Sequence, residues 1–388
     1  MAPVVALQAC AEYAPEAVEA AVRNLFESLG GLGRFVRGGD RVFLKVNMLT
    51  PSAPELAIST HPEVVRAVAR EVKRLGARPM VGDNPAMAKP STALRKCGIQ
   101  AVIDELGIEV PDLAPVAELE SPEGVAFRRF QVSQAILEAD VLINLPKLKT
   151  HSLTYMTVAM KNLFGLVPGT EKARWHARSP DARAFASMVV DLYAGARRHF
   201  SGPRRILHLC DGVLGMEGEG PGRSGTPRKL GALLASEDAV ALDRLACALV
   251  GLDPERLLIV KEAAGRGLGE GELSRIATVG ELVERWAGTG FAPPAGATGR
   301  TGLGQRLARS TWVRNRLVER PELEPSRCIS CRKCAQICPV KAISMVGEKP
   351  RPQPALDTCI RCYCCAEICP EGALHKSATP WLGRLLAV

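Results

Sequence analysis

The sequence predicts an α/β protein, in which a mainly parallel sheet with helices on both faces is followed by a small α+β domain. Two observations support this fold class. In the N-terminal part, short apolar runs of buried-strand type alternate with amphipathic helical segments, and this alternation is typical of parallel strands covered by helices. Nine of the 13 cysteines lie between Cys328 and Cys369, which indicates a separate module at the end of the chain.

The predicted helices have clear start and stop signals. The helix over 15–29 begins at a proline and ends at a Gly-Gly pair, and the helix over 62–75 begins at a proline and ends at a glycine. Asp238 is the expected cap of a helix over 238–250. Apolar runs predict buried strands over 41–46, 78–82, 141–145 and 206–210.

Composition changes along the chain predict three parts. A length of 388 residues suits two or three domains. Residues 1–287 are expected to form the α/β domain, and residues 288–323 a linker rich in glycine and proline with a short basic helix near 306–318. Residues 324–388 are expected to form the cysteine-rich module with its C-terminal tail.

The module contains two copies of the pattern C-x2-C-x2-C-x3-C-P, 31 residues apart. This is the bacterial spacing for two 4Fe–4S clusters, in which the fourth cysteine of each run binds the other cluster. The first cluster is therefore expected to take Cys328, Cys331, Cys334 and Cys369. The second is expected to take Cys359, Cys362, Cys365 and Cys338.

The alternative for these cysteines is a pair of zinc sites. Two complete copies, each ending in proline, favour the iron–sulfur interpretation. Residues 324–376 resemble the bacterial 4Fe–4S ferredoxins. Cys364, beside Cys365, is an additional cysteine that is either a bystander or a competing ligand.

Almost all of the net charge of +9 belongs to the C-terminal part. Residues 286–388 hold 15 Lys and Arg against 7 Asp and Glu, a net charge of +8. Two clusters with thiolate ligands, each of net charge about −2, would cancel about half of it. The basic residues lack interleaved aromatics for base stacking, so we expect no nucleic-acid partner.

The expected location is the cytoplasm. The first residues lack a basic segment followed by a cleavable apolar stretch. No apolar run approaches the length that a membrane helix needs, so no membrane span is expected. Cysteines in a reducing compartment serve as ligands rather than as disulfides.

Polar side chains collect where the predicted strands end, which is where open α/β sheets bind ligands. The candidate substrate-binding residues are Lys45, Asn47, Asp83, Lys149, Lys161, Asn162 and Asp211, and the candidate catalytic residues are His151, His176 and Lys147. The lysines would bind an anion, and a histidine would deliver protons.

These residues also have structural interpretations. The lysines could be solvated surface charges, the histidines could be hydrogen-bonded core residues, and Asp83 and Asp211 could cap helices or turns. The glycine-rich segment 215–222 does not fit the dinucleotide pattern G-x-G-x-x-G, so NAD binding is unsupported. No P-loop, zinc-protease or serine-hydrolase motif is present.

Several segments resemble the family known as domain of unknown function 362. They are 42–47, 61–65, 81–84, 140–151, 159–169 together with His176, 211–221 and 235–243. The resemblance covers about residues 4–285, and it implies a family in which a ferredoxin module often follows in the same place. It implies no general activity.

Three functional hypotheses follow from these features. The first is a ferredoxin-dependent reductase that acts on an anionic organic substrate and receives electrons from a ferredoxin, flavodoxin or reductase. The second is an electron-transfer subunit that serves a partner enzyme, and the third is a maturation or sensing protein with structural clusters. The sequence leaves open whether a flavin or an extra metal is also bound, and it leaves the oligomeric state open.

Overall fold

The computed structural model describes residues 2–295 and 311–381. Its strands are β1 (Val4–Ala9), β2 (Arg41–Val46), β3 (Arg78–Gly82), β4 (Val116–Glu120), β5 (Arg129–Ser133), β6 (Val141–Leu145), β7 (Lys147–His151), β8 (Tyr155–Thr157), β9 (Arg205–Gly218), β10 (Gly225–Ser236), β11 (Ala277–Gly280), β12 (Pro321–Leu323), β13 (Ile343–Val346), β14 (Arg351–Pro354) and β15 (Leu374–Lys376).

The helices, numbered in the same way, are α1 (Pro15–Ser28), α2 (Pro62–Arg74), α3 (Pro90–Lys96), α4 (Ile99–Leu106), α5 (Gln134–Leu137), α6 (Ala159–Asn162), α7 (Lys172–Arg178), α8 (Ala182–His199), α9 (Ala239–Leu249), α10 (Leu258–Gly265), α11 (Thr311–Leu317), α12 (Lys333–Ile337) and α13 (Cys364–Glu367). Short 3-10 helices span Leu32–Arg34, Pro54–Leu56, Leu163–Leu166, Gly169–Glu171, Pro254–Arg256, Leu273–Arg275, Val283–Trp286 and Pro325–Arg327.

The central sheet is mixed and mostly parallel, in the order β11-β1-β10-β9-β6-β2-β3. Strands β9, β6, β2 and β3 run parallel to one another, whereas β10 is antiparallel to both of its neighbours. Strand β7 extends the sheet beside β9 and forms a hairpin with β8. The predicted fold class is confirmed for this part of the chain.

Helices cover both faces of the sheet, and each face has its own apolar core. Helices α1, α2 and α4 bury residues such as Val22, Val65 and Val102 against one face. Helices α8, α9 and α10 bury residues such as Val189 and Leu242 against the other. Burial on both sides explains why the parallel strands are continuous apolar runs rather than alternating ones.

Strands β2, β3 and β6 have the predicted bounds, but β9 is longer than predicted. It continues from the apolar run through Gly212 and Gly215 to Gly218. A Cβ atom at Gly212 would lie 2.9 Å from the carbonyl oxygen of Ala232 on β10. Glycine is therefore needed there for close strand packing, and it does not mark a loop.

The C-terminal module has the expected small α+β architecture. Two antiparallel pairs, β12 with β15 and β13 with β14, accompany the short helices α12 and α13. The predicted basic helix corresponds in part to α11, but residues 296–310 lie outside the described residues. The predicted boundaries at 287/288 and 323/324 stay predictions. Within the described residues, no helix is both long and apolar enough to cross a membrane.

Candidate functional site

A cavity lies where β2 and β3 end, beside β7, α6 and α7. We call it the strand-end cavity. It brings together seven of the predicted site residues: Asn47, Asp83, Lys149, His151, Lys161, Asn162 and His176. Among the described lining residues, Lys45, Lys147 and Asp211 are absent.

Lys147 and Asp211 form a separate buried ion pair. The Lys147 Nζ atom donates to Asp211 Oδ2 at 2.8 Å and to the Tyr13 hydroxyl at 2.6 Å, and both charged side chains are fully buried. The strand pairing of β7 shifts between Lys147 and Lys149, so the two lysines do not share one environment. The geometry thus gives Lys147 and Asp211 a role in tying strands together, in contrast to the expected contact with substrate.

Lys45 lies behind the cavity wall and is paired with Asp83. Its ammonium is 2.7 Å from Asp83 Oδ1, and its side chain is inaccessible to solvent. Burial lowers the pKa of Lys45, and the Asp83 carboxylate opposes that shift. Asp83 also accepts hydrogen bonds from the backbone of Met48 and Asn84. The Asp83 carboxylate is therefore already paired with groups of the protein itself.

Three further lysines reach the cavity with few anionic partners. Lys149 donates to Asn47 Oδ1 at 2.6 Å and to the Ile58 carbonyl at 2.7 Å. Burial, together with the charges of Lys147 and Lys161, lowers the pKa of Lys149 to about 7. Lys172, which donates to the Asn84 carbonyl, has its pKa lowered to about 8, mainly by burial.

Lys161 is the least engaged of these lysines. Its Nζ atom lies 4.9 Å from the ring centre of Phe164 and 5.4 Å from that of Phe185. No hydrogen bond or ion pair joins it to any residue that the structure describes. Helix α6 holds Lys161 in place, because Asp243 accepts hydrogen bonds from the backbone of Ala159 and Met160 at the start of that helix.

Both candidate histidines are neutral. His151 Nδ1 accepts from the backbone of Leu153 at 3.1 Å, which leaves the proton on Nε2. His176 stacks on Phe185 with ring centres 4.3 Å apart. Burial lowers the pKa of His176 to about 3 and that of His151 well below its usual value. Burial thus disfavours the protonated form of both rings, which gives no support to the predicted delivery of protons by His151 or His176.

The C-terminal module closes one side of the strand-end cavity. Ile337, Cys364, Glu367 and Ile368 all belong to its lining. The Glu367 carboxylate lies 3.4 Å from His151 Nε2, and burial raises the pKa of Glu367. The glycine-rich segment makes this approach possible, because a Cβ atom at Gly222 would lie 2.8 Å from the Glu367 carbonyl oxygen.

The eight predicted cluster ligands divide between two further cavities. The outer cysteine cavity is lined by Cys328, Cys331, Cys334 and Cys369, and the inner cysteine cavity by Cys338, Cys359, Cys362 and Cys365. This division matches the crossed pattern that the spacing predicts, since Cys369 lies with the first run and Cys338 with the second.

The donor sets of the two cysteine cavities suit iron–sulfur cubanes. The outer cavity is lined by four thiols and the inner one by five, because Cys364 also borders it, and apolar neighbours such as Met345 and Leu374 line the outer cavity. The crossing sulfurs of Cys338 and Cys369 each accept a backbone N–H from four residues later, at 3.2 Å. Hydrogen bonds of this kind are among the factors that set cluster potential.

Both cysteine loops share a costly backbone feature. Ser330 and Arg332 flank Cys331 with φ of 56° and 64°, and Arg361 and Tyr363 flank Cys362 with φ of 58° and 60°. Non-glycine residues rarely adopt this left-handed conformation. The same conformation flanks the second cysteine of both runs, which indicates that the loops are shaped to bind a prosthetic group.

Sequence reasoning missed three features of the strand-end cavity. Lys172 had no distinguishing pattern, Glu367 was part of the cysteine repeat, and Cys364 was considered only as a bystander or a competing ligand. Cys364 borders both the strand-end cavity and the inner cysteine cavity. Only contact between the two parts of the chain reveals these roles.

Comparison with known proteins finds a family match for each of the two parts of the chain. A family model described as a 4Fe-4S dicluster domain matches residues 327–373, so the chain is an iron–sulfur protein. Two solved structures are weakly similar. A Thermotoga maritima protein has a TM-score of 0.33 and 12% identity, over 58% of this chain and 55% of that one. The lactate racemase apoprotein from Thermoanaerobacterium thermosaccharolyticum has a TM-score of 0.36 and 10% identity, over 80% and 90%.

Residues 42–248 match the family model described as a domain of unknown function, DUF362. Thylakoid-associated protein sll1697 of Synechocystis sp. is 38% identical over 259 residues, which span 66% of this chain and 76% of that protein. The expected resemblance is thus confirmed by a match over more than half of the sequence. The chain belongs to the DUF362 family.

Proposed function

We propose that this protein is a reductase that binds two 4Fe–4S clusters and acts on an anionic organic substrate in the strand-end cavity. The main support is the position of Cys364, which borders both that cavity and the inner cysteine cavity. When bound, the clusters supply single electrons at low potential. A substrate in the strand-end cavity would thus lie beside one of them.

The cavity residues have complementary roles in this proposal. Lys161 binds the anionic group, because it forms no hydrogen bond or ion pair with the described residues. Lys149, with a pKa of about 7, is the best-matched proton donor, since an acid works best when its pKa is near the working pH. Phe164, Ile337 and Ile368 exclude water. Lys147 acts on the site only through its ion pair with Asp211, without contact to the substrate.

The test is reoxidation of the full-length protein. Anaerobic, cluster-loaded protein is reduced, freed of excess reductant and mixed with a panel of organic anions while its visible absorbance is followed. We expect at least one anion to reoxidise it, and Lys161→Met to raise the anion concentration that gives the half-maximal reoxidation rate by about tenfold. A panel with no reoxidising anion, or an unchanged half-maximal concentration in the variant, would contradict the proposal.

A second candidate function, an electron-transfer subunit, is supported by the outer cysteine cavity. Cys331, Arg332 and Lys333 are exposed beside it, and this basic surface suits an acidic carrier such as a ferredoxin or flavodoxin. Reduced protein that is inert toward organic anions but is rapidly reoxidised by such a carrier would favour this function.

A further inference from the structure

We infer that the ligand of the strand-end cavity carries, besides its anionic group, an N–H or O–H group that donates a hydrogen bond to Asn162 or Glu367. The inference rests on the proposed function for treating this cavity as the substrate site. It adds the chemical class of the substrate, which is an organic anion with its own hydrogen-bond donor.

The argument starts from buried polar atoms without partners. Among the described residues that line the cavity, Asn162 Oδ1, His176 Nδ1 and Glu367 Oε1 are buried and accept or donate no hydrogen bond. A buried polar group left unpaired destabilises a protein, and such groups are few in native structures. Three around one cavity indicate that a ligand supplies their partners.

The orientation of Asn162 is fixed by its neighbours. Asn144 Nδ2 donates to the Ala159 carbonyl at 2.9 Å, so Asn144 must present its oxygen to Asn162. Asn162 Nδ2 donates to that oxygen at 2.8 Å and also to the Lys45 carbonyl at 3.3 Å. The unpaired Asn162 atom is therefore the carbonyl oxygen, which can only accept.

Glu367 contributes a second acceptor from the other side of the cavity. Its Oε1 atom has no hydrogen bond, although His151 Nε2 is 3.4 Å away. An anion without a hydrogen-bond donor would pair with Lys161. Its own oxygens would then lie against the Asn162 and Glu367 oxygens, and those two acceptors would stay unpaired. A ligand that combines an anionic group with a donor satisfies the lysine and the acceptors together.

The experiment compares two ligands of almost the same shape. Pyrrole-2-carboxylate and furan-2-carboxylate carry the same anionic group, but the pyrrole ring has an N–H where the furan ring has an oxygen. Binding to oxidised, cluster-loaded full-length protein is measured by calorimetry, without turnover. We expect the pyrrole compound to bind about tenfold more tightly, which is the usual effect of pairing one buried acceptor.

Three variants locate the effect. Lys161→Met should weaken both compounds by the same factor and keep the preference. At least one of Glu367→Met, which removes the acceptor oxygens at a similar side-chain length, and Asn162→Leu should abolish the preference while both compounds still bind. Iron content confirms that each variant is folded.

Equal affinity for the two compounds, failure of both to bind, or a preference that survives both acceptor variants would overturn the inference. The proposed function fails separately. Protein that prefers the pyrrole compound but reduces no anion would support the inference and contradict the proposed reductase function. Protein that reduces an anion but shows no preference would support the proposed function and contradict the inference.

Discussion

At the scale of single residues, the strand-end cavity is defined by three buried lysines, Lys149, Lys161 and Lys172, that form no ion pair with the described residues. Lys149 and Lys172 donate to neutral oxygens, and Lys161 has no hydrogen bond to the described residues. Asp83 is already engaged by Lys45. Burial lowers the pKa values of these lysines, and a bound anion would raise them again.

This electrostatic arrangement predicts how anion affinity depends on pH. Lys149 holds its proton below about pH 7 and loses it above. Affinity for pyrrole-2-carboxylate should therefore be constant at lower pH and fall, by up to tenfold per pH unit, as the pH rises above 7. The measurement is calorimetric affinity from pH 6 to about 9.

The matched variant is Lys149→Met, in which the affinity should be lower at pH 6 and should depend less steeply on pH above 7. Lys96→Met, at an exposed position on α3, is the control and should behave as the unaltered protein does. A wild-type affinity that stays constant from pH 6 to 9 would show that ligand binding does not raise the pKa of Lys149.

At the scale of elements, the sequence predicted much of the sheet and seven of the cavity residues, but not the strand pairing that arranges them. Strands β2, β3 and β6 could be predicted because each is a buried apolar run between clear turn signals. The segment from Lys147 to His151 follows a predicted strand and was not itself predicted to be one, yet it forms β7 and is buried. Pairing with β8 and β9 creates this strand, and a local pattern does not encode such pairing.

The same limit applies to the individual site residues. The repeat C-x2-C-x2-C-x3-C-P is the bacterial spacing for binding two 4Fe–4S clusters, so the ligand sets could be proposed from spacing alone. Lys147 and Lys149 look equivalent in the sequence, and only the shift in strand pairing between them separates an ion pair with Asp211 from a cavity residue. Glu367 reaches the cavity through contacts between distant parts of the chain.

Crossed ligation predicts an unusual pattern in double variants. Cys338 and Cys359 line the inner cysteine cavity, whereas Cys331 lines the outer one. The double variant Cys338→Ala/Cys359→Ala should damage one cluster and keep about four irons of about eight. Cys338→Ala/Cys331→Ala should damage both and lose most of the iron.

The measurement is iron and acid-labile sulfide in anaerobically purified protein. In uncrossed ligation each run would hold its own cluster, and the two double variants would exchange their iron contents. That reversal would contradict the assignment of Cys338 to the second cluster.

At the scale of the whole molecule, the C-terminal module acts as the wall of a cavity in the DUF362 part. Gly222 allows the Glu367 backbone to approach, and Lys376 donates to the Ser152 carbonyl at 3.2 Å. The inner cysteine cavity faces the strand-end cavity, while Cys331 of the outer one is exposed. The two cysteine cavities thus have different neighbours, one internal and one at the surface.

This asymmetry leads to the most direct test of the account, which is the electron paramagnetic resonance spectrum of the reduced protein with and without pyrrole-2-carboxylate. We predict that the ligand alters only the signal that is lost in Cys338→Ala, because that cluster would lie beside the cavity. In Gly222→Val, which would push the module away, the response should disappear, whereas Gly33→Val, at an open position, should retain it. A ligand that changes neither signal, or changes only the other one, would contradict a substrate site shared between the two parts of the chain.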